Sequence, residues 1–241
     1  MNMGNVILFA GDPHGQFDPA VRAAHAVKAA AIVFLGDFDL TQPLHEALAS
    51  LPGTTAAWWI PGNHDTDQID HHDHLFGSQL ADHNLHGRVT EIAGLRVAGL
   101  GGVYRAEVWH PADGDGQPRH HTAQGFMRTV APGRRFRGGL PLKHRSTIFW
   151  QDYERLWDER ADILVTHEAP SCHRHGFAEI DQLALAMGVS LIVHGHHHQR
   201  YTGSVGGGIR VEGVGLAGVI DGNGRDIVAG LSRSVRRPKG G

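Results

Sequence analysis

Val6-Ile7-Leu8-Phe9-Ala10-Gly11-Asp12-Pro13-His14-Gly15 is the stretch on which the fold turns: five apolar residues in a row, a glycine, then a carboxylate and an imidazole. A short continuous apolar run closed by a turn signal is the pattern of a buried strand. The arrangement recurs along the chain. Ala31 to Leu35 leads into Gly36-Asp37, and Ala56 to Ile60 into Pro61-Gly62-Asn63-His64-Asp65. Ile163 to Val165 leads into Thr166-His167-Glu168, and Leu191 to Val193 into Gly195-His196-His197-His198. Strand followed at once by Asp, Asn or His is the layout of a site on the carboxyl edge of a parallel sheet, where folding gathers residues that sequence keeps apart.

Between these runs the chain alternates. Val21, Ala24 and Val27 share one helical face, Leu44 to Leu48 has helical character, and the resulting βαβαβ rhythm predicts a parallel sheet. Arg88 to Leu100 predicts a hairpin turning at Ala93-Gly94, which could edge that sheet or begin a second. A helix is expected from Tyr153 to Trp157 and an amphipathic one from Phe177 to Met187. Arg200 to Val214 predicts a hairpin turning at Gly206 to Gly208, and Asp226 to Ala229 a last strand. Residues 103–147 are irregular and Gly/Pro-punctuated, with no acid between Gln117 and Gln151 but Arg119, Arg128, Arg134, Arg135, Arg137, Lys143 and Arg145 within it. We expect one α/β domain over residues 1–232, interrupted by this basic insertion, and a flexible basic tail over 233–241.

Composition narrows the function. At 241 residues and 41% hydrophobic content the chain can bury a proper core. A net charge of −3 gives no general affinity for nucleic acid or membrane, and no apolar stretch is long enough to span a bilayer. The lone cysteine, Cys172, excludes an internal disulfide and fits a reducing, cytoplasmic setting; a small inert side chain is the expectation for it. Histidine is the outlier at 20 copies, and it is the commonest metal ligand.

Hydrolysis of a phosphate ester needs a strong nucleophile at neutral pH and neutralisation of the phosphoryl oxygens. Two metal ions about 3.5–4 Å apart supply both, bringing the pKa of bound water toward roughly 7. Carboxylate and imidazole ligands without thiolate suit Mn first, with Fe, Zn or Co also accommodated, rather than Ca. In this respect the sequence resembles the calcineurin-like metallophosphoesterases, whose ordered pattern is Asp-x-His, Gly-Asp, Gly-Asn-His-Asp/Glu, a later His, and Gly-His-x-His. All five elements occur here in order between Asp12 and His198. The resemblance implies a sandwich of two mixed β-sheets flanked by α-helices. It implies that Asp12, His14 and His198 hold one divalent metal, Asn63, His167 and His196 a second, and that Asp37 bridges them. His64 would assist the leaving group as a bridging hydroxide attacks in line. Asp65 would share the catalytic site, either orienting His64 or supporting it structurally.

The implied substrate is a small phosphomonoester, phosphodiester or nucleotide. The phosphoprotein branch reads Gly-Asp-x-x-Asp-Arg-Gly and Arg-Gly-Asn-His-Glu; Gly36-Asp37-Phe38-Asp39-Leu40 and Pro61-Gly62-Asn63-His64-Asp65 lack both arginines, so a protein phosphatase is disfavoured. Asp39 receives no role. A nuclease is disfavoured by charge, and a metal-binding scaffold without turnover by the presence of His64. Arg134, Arg135 and Arg137 are candidates to grip an anionic substrate from the insertion. His71-His72-Asp73-His74 predicts a polar helix face or loop rather than an accessory metal site. His194 and His197 are expected to point away from the ligands, and His173 and His175 to lie at the surface. Sequence leaves the oligomeric state open.

Overall fold

The structure, a computed structural model, describes residues 6–231 and is built on two β-sheets. The first half of the chain forms β1 (Ile7–Ala10), α1 (Asp18–Val27), β2 (Ala31–Phe34), α2 (Leu44–Ala47), β3 (Ala56–Trp59), α3 (Ile69–Phe76), β4 (Arg88–Ile92) and β5 (Leu95–Leu100). It continues with α4 (Ala123–Met127), α5 (Trp150–Trp157), β6 (Ile163–Thr166), α6 (Ala178–Met187), β7 (Leu191–His194), β8 (Tyr201–Val205), β9 (Ile209–Gly213), β10 (Val219–Asp221) and β11 (Asp226–Val228). One sheet has the order β11-β10-β1-β2-β3 and the other β4-β5-β6-β7-β9-β8. The pairs β1/β2, β2/β3, β5/β6, β6/β7 and β7/β9 are parallel, while β1/β10, β10/β11, β4/β5 and β8/β9 are antiparallel. Both sheets are therefore mixed.

Side-chain alternation explains why the central strands are apolar throughout. Ile7, Phe9, Ala31 and Val33 of one sheet meet Val97, Ile163, Val165, Leu191 and Val193 of the other in a core between the sheets. The intervening residues point outward. Leu8, Ala10, Ile32 and Phe34 pack under Ala20, Ala23 and Ala24 of α1. Ala98, Leu100, Leu164, Ile192 and Val211 pack under Tyr153 and Leu156 of α5 and Ile180, Leu183 and Met187 of α6. Strands covered on both faces lose the polar positions that an exposed face would require. Local signals end the helices: α6 carries Glu179 and Asp181 in its first turn and stops at Gly188, whose φ of 70° lets the chain turn off in the left-handed conformation.

The hairpin β4–β5 opens the second sheet rather than edging the first. Strand β10 carries no expectation from sequence. At three residues it is too short for a periodic signal, yet it lies beside β1 in antiparallel register, with Phe9 opposite Ile220. The basic insertion is irregular for most of its length but holds α4 and two 3₁₀ turns, Pro132–Arg134 and Leu142–Ser146. It is not a detached loop, because Val108, Trp109, Phe126 and Val130 enter the outer core beneath α5. The basic tail over 233–241 lies outside the described residues. Among the described residues, no helix is long and apolar enough to cross a membrane.

Candidate metal centre and active site

The parallel strands β1, β2, β6 and β7 stop at the same edge, and the turns beyond them carry unusual backbone. Among the described residues, ten non-glycine residues have positive φ, and six of these are Asp12, His14, Asp37, Asp39, His196 and His198. Left-handed backbone costs an ordinary residue on the order of 1–2 kcal/mol and persists where surrounding structure enforces it, often at functional sites. The turns that bear the predicted ligands are thus held in place at some energetic expense. Glycines allow the close approach. A side chain at Gly62 would fall on Asp37 Oδ1 and come within 2.5 Å of His167 Cε1, and one at Gly195 would come within 2.9 Å of Asp12 Oδ1.

The predicted ligands converge. His14, Asp37 and His198 offer donor atoms that all lie within 4.8 Å of one another, as do Asp37, His167 and His196. Asp37 belongs to both groups. His14 Nε2 lies 3.1 Å from His198 Nε2, and His167 Nε2 lies 3.2 Å from both His196 Nδ1 and Asn63 Oδ1. The ring tautomers follow from the second nitrogen. His167 Nδ1 donates to the Leu35 carbonyl at 2.6 Å and His14 Nδ1 to Asp39 Oδ2 at 2.7 Å, which turns both Nε2 atoms inward, where a cation would take the place of a proton. Asp12 accepts from the His196 amide through Oδ1 at 3.0 Å, while its Oδ2 is buried with no hydrogen-bond partner. An orphaned buried carboxylate oxygen amid inward-facing imidazole nitrogens is a donor set that could hold a divalent cation.

The charges point the same way. Asp37 is held below the usual carboxylate range: burial opposes this, but the charge of His167 and its hydrogen bond prevail. His167 is pushed up to about 10, because Asp37 and Asp12 outweigh the burial that favours a neutral ring. Asp12 is pushed up to about 7, first by burial and also by Asp37, against the pull of His167. His196 is driven down to about 3 by burial and by His167. A buried ring kept cationic between two carboxylates marks a place that demands positive charge.

His64 stands beside this centre rather than in it. Its amide donates to Asp37 Oδ1 at 2.8 Å, its ring centroid is 5.6 Å from that of His14, and the side chain is about half exposed. The carboxylate on its ring is Asp67, which accepts from Nδ1 at 2.6 Å. Asp65, the acid placed with it in the catalytic site from sequence, goes elsewhere. It is buried and accepts from the amides of Asp37 at 3.0 Å, Phe38 at 2.7 Å and Gly62 at 2.7 Å, tying two ligand-bearing turns together. Glu168 faces the outer nitrogen of His196 at 3.8 Å and accepts from the Tyr104 amide; burial pushes its carboxyl up to about 7. Asp39, Asp67 and Glu168 are therefore the site carboxylates to which sequence assigns no role. Only Asp67 leaves a signal: it lies three residues after His64, one turn of the 3₁₀ helix His64–Thr66.

The remaining histidines divide. His194 is buried, hydrogen-bonded to Gly195 O and the Tyr201 hydroxyl, and driven down to about 3 by burial. His173, expected at the surface, is instead buried and stacked on His197 with ring centroids 4.0 Å apart. His175 is exposed. His71, His72 and His74 lie on α3, where His72 stacks on Phe76. Cys172 is exposed and unpaired. The three candidate arginines each have a protein partner. Arg137 makes two 2.7 Å hydrogen bonds to Asp73 of α3, Arg135 donates to the carbonyls of Val130 and Met127, and Arg134 pairs with Glu107 at 3.5 Å.

Two mixed sheets with helices outside, and carboxylates and imidazoles clustered at the shared strand edge, define a class of metal-binding α/β sandwich. The chain belongs to the calcineurin-like phosphoesterases, whose family model matches residues 6–200. An uncharacterised protein of Haemophilus influenzae is 39% identical over 223 residues, covering 92% of this chain and 96% of the relative. Among solved structures, TT1561 of Thermus thermophilus is similar over 92% of this chain and 99% of its own, with a TM-score of 0.52 at 18% identity. A 5′-nucleotidase from Candida albicans is similar over 89% of this chain and 46% of its own, with a TM-score of 0.50 at 12% identity. At these identities the two structures speak for the fold.

Proposed function

We propose that the protein is a two-metal phosphoesterase that hydrolyses a small phosphomonoester or phosphodiester, nucleotides included. The observation that carries this reading is the pair of donor groups sharing Asp37, with an unligated histidine next to them. Asp12, His14, Asp37 and His198 would hold one divalent cation, and Asp37, Asn63, His167 and His196 the other, with Mn the first candidate. Bound there, two such ions would neutralise phosphoryl oxygens and make water acidic enough to attack near neutral pH.

The protein's own residues supply the rest. Asp39 and the Leu35 carbonyl fix the tautomers of His14 and His167. Asp65 holds the Asp37 and Gly62 turns at a set spacing, which keeps the shared carboxylate in place. Asp67 accepts from Nδ1 and orients the His64 ring, so that Nε2 would face the departing oxygen as the leaving-group donor. Exposure of His64 admits substrate to that nitrogen. A metal-binding scaffold would need neither the exposed imidazole nor its carboxylate.

The test is turnover of p-nitrophenyl phosphate and bis(p-nitrophenyl) phosphate by metal-loaded protein. We expect hydrolysis with Mn, a loss of about 10²-fold or more in kcat for His64→Ala, and near-complete loss for Asp37→Asn. Absence of turnover of either ester with Mn, Fe, Zn and Co would favour the scaffold. Full activity in Asp37→Asn would remove the two-metal mechanism.

A further inference from the structure

Arg105 emerges from the turn after β5, one position beyond Gly101-Gly102-Val103-Tyr104. That turn is anchored at the site. Gly102 N donates to the Pro61 carbonyl at 2.6 Å, just ahead of Asn63 and His64, and Tyr104 N donates to Glu168. The Arg105 side chain is partly buried, which works against its charge, and the acids nearest to it electrostatically are Asp67, Glu168 and Glu107. Each of those acids is already engaged: Asp67 with His64, Glu168 with the Tyr104 amide, and Glu107 with Lys143 and His144. Arg105 Nε is buried with no hydrogen-bond partner. A partly buried guanidinium whose Nε has no partner thus feels the charge of both the carboxylate on His64 and the carboxylate that faces His196.

We infer that Arg105 grips a terminal oxygen of the substrate phosphate, and that the preferred substrate class is the phosphomonoester dianion. The inference rests on the phosphoesterase reading. A monoester has three terminal oxygens, so a guanidinium can take one while others meet the metal side. A diester has only two, and its second ester group occupies the position the guanidinium would claim. A fork of N–H donors suits this recognition better than the point charge of lysine.

The experiment uses the full-length protein loaded with Mn, wild type beside Arg105→Gln and Arg105→Lys, each checked by thermal melting. Inorganic phosphate binding is read by calorimetry, and kcat and KM are measured on p-nitrophenyl phosphate and its bis ester. We expect Arg105→Gln to weaken phosphate binding by roughly 10-fold or more and Arg105→Lys by less, as a charge-assisted hydrogen bond predicts. For the monoester the loss should fall mainly in KM, with kcat/KM on the diester within about 2-fold of wild type. Unchanged phosphate affinity in a folded Arg105→Gln protein, or equal losses on both esters, would overturn the inference. If wild type hydrolyses neither ester, the phosphoesterase reading fails, and the phosphate titration still decides whether Arg105 binds the anion. If Arg105→Gln does not fold, Arg105→Lys decides: phosphate affinity equal to wild type there counts against the grip.

Discussion

Asp65 offers the sharpest separation between chemistry and architecture, because proximity in sequence assigns it to His64 and the structure assigns it to three backbone amides. Replacing it with alanine strands the N–H groups of Asp37, Phe38 and Gly62 in a buried place. Each orphaned donor costs about 1–3 kcal/mol, so the sum is about 3–9 kcal/mol. That is a large part of the roughly 5–15 kcal/mol that holds a typical domain folded. At about 2–4 °C per kcal/mol for a chain of this size, Asp65→Ala should lower Tm by roughly 6 °C or more. Asp65→Asn keeps an oxygen for the two donors on Oδ2 but sets an amide NH₂ against the Phe38 N–H, so about 1–3 kcal/mol is lost. The contrast is Asp67→Asn. Asp67 and His64 are both about half exposed, so their pair contributes under about 1 kcal/mol to stability. That variant should melt within about 4 °C of wild type while losing roughly 10-fold or more in kcat. Melting followed by circular dichroism, in chelator and in Mn, together with kcat on p-nitrophenyl phosphate, measures both. If Asp65→Ala melts with wild type while kcat collapses, the reasoning is refuted and Asp65 acts on the reaction itself.

Other outcomes follow from the same geometry. Gly62→Ala, which drives a methyl group onto Asp37 and His167, should cost about 1–3 kcal/mol and weaken metal binding, whereas Gly53→Ala, with nothing within 4 Å, should change neither; equal metal affinity in the two variants, read by chelator competition, would count against the tight packing of the site. Asp39→Ala removes the hydrogen bond that sets the His14 tautomer and should weaken one of the two cations by about 10–100-fold, with the other unchanged in the same titration. The metal-free protein should become less stable as pH rises above about 6.5; below that, the neutral buried His194 and His196 gain what Asp12 loses. Asp12 binds its proton more tightly folded than unfolded, so its contribution fades between about pH 4 and 7. The raised His167 contributes fully below about pH 6.5 and fades as pH climbs toward about 10. Bound cations take the place of those protons, so the decline should vanish in Mn and metal binding should release protons; a metal-free Tm that stays flat from pH 7 to 9 would contradict this.

Much of the fold was legible because its central strands are buried on both faces, which writes them as unbroken apolar runs ending in glycine. Phe9, Val33, Val165 and Val193 share one core from four separate runs. Strand β10 escaped because three residues carry no period, and only the register against β1 makes Val219 and Ile220 strand residues. The residues that converge at the centre were legible for a related reason: each follows directly from a strand end, where backbone direction is set before any loop intervenes. Their partners were not, because loop conformation decides them. Asp39 reaches back to His14 from a backbone φ of 50°, which nothing in Gly36-Asp37-Phe38-Asp39 announces. Asp65 is the neighbour of His64 but turns inward, and Asp67 returns to the ring because the 3₁₀ turn has three residues.

The same logic bears on the arginines. An acid-free window from Gln117 to Gln151 suggests free positive charge, but a one-dimensional window cannot see acids that fold onto it from outside. Asp73 comes from α3 to meet Arg137, and Glu107 comes from before the window to meet Arg134 and Lys143. The Asp73 pair ties the insertion to α3, and the Glu107 pairs tie the insertion to itself. Arg105, in contrast, stands where the site's other residues stand, at the carboxyl end of a central parallel strand, among acids already engaged with other groups. Position at the strand edge, rather than the local density of charge, is what distinguishes a guanidinium with donors to offer a phosphate.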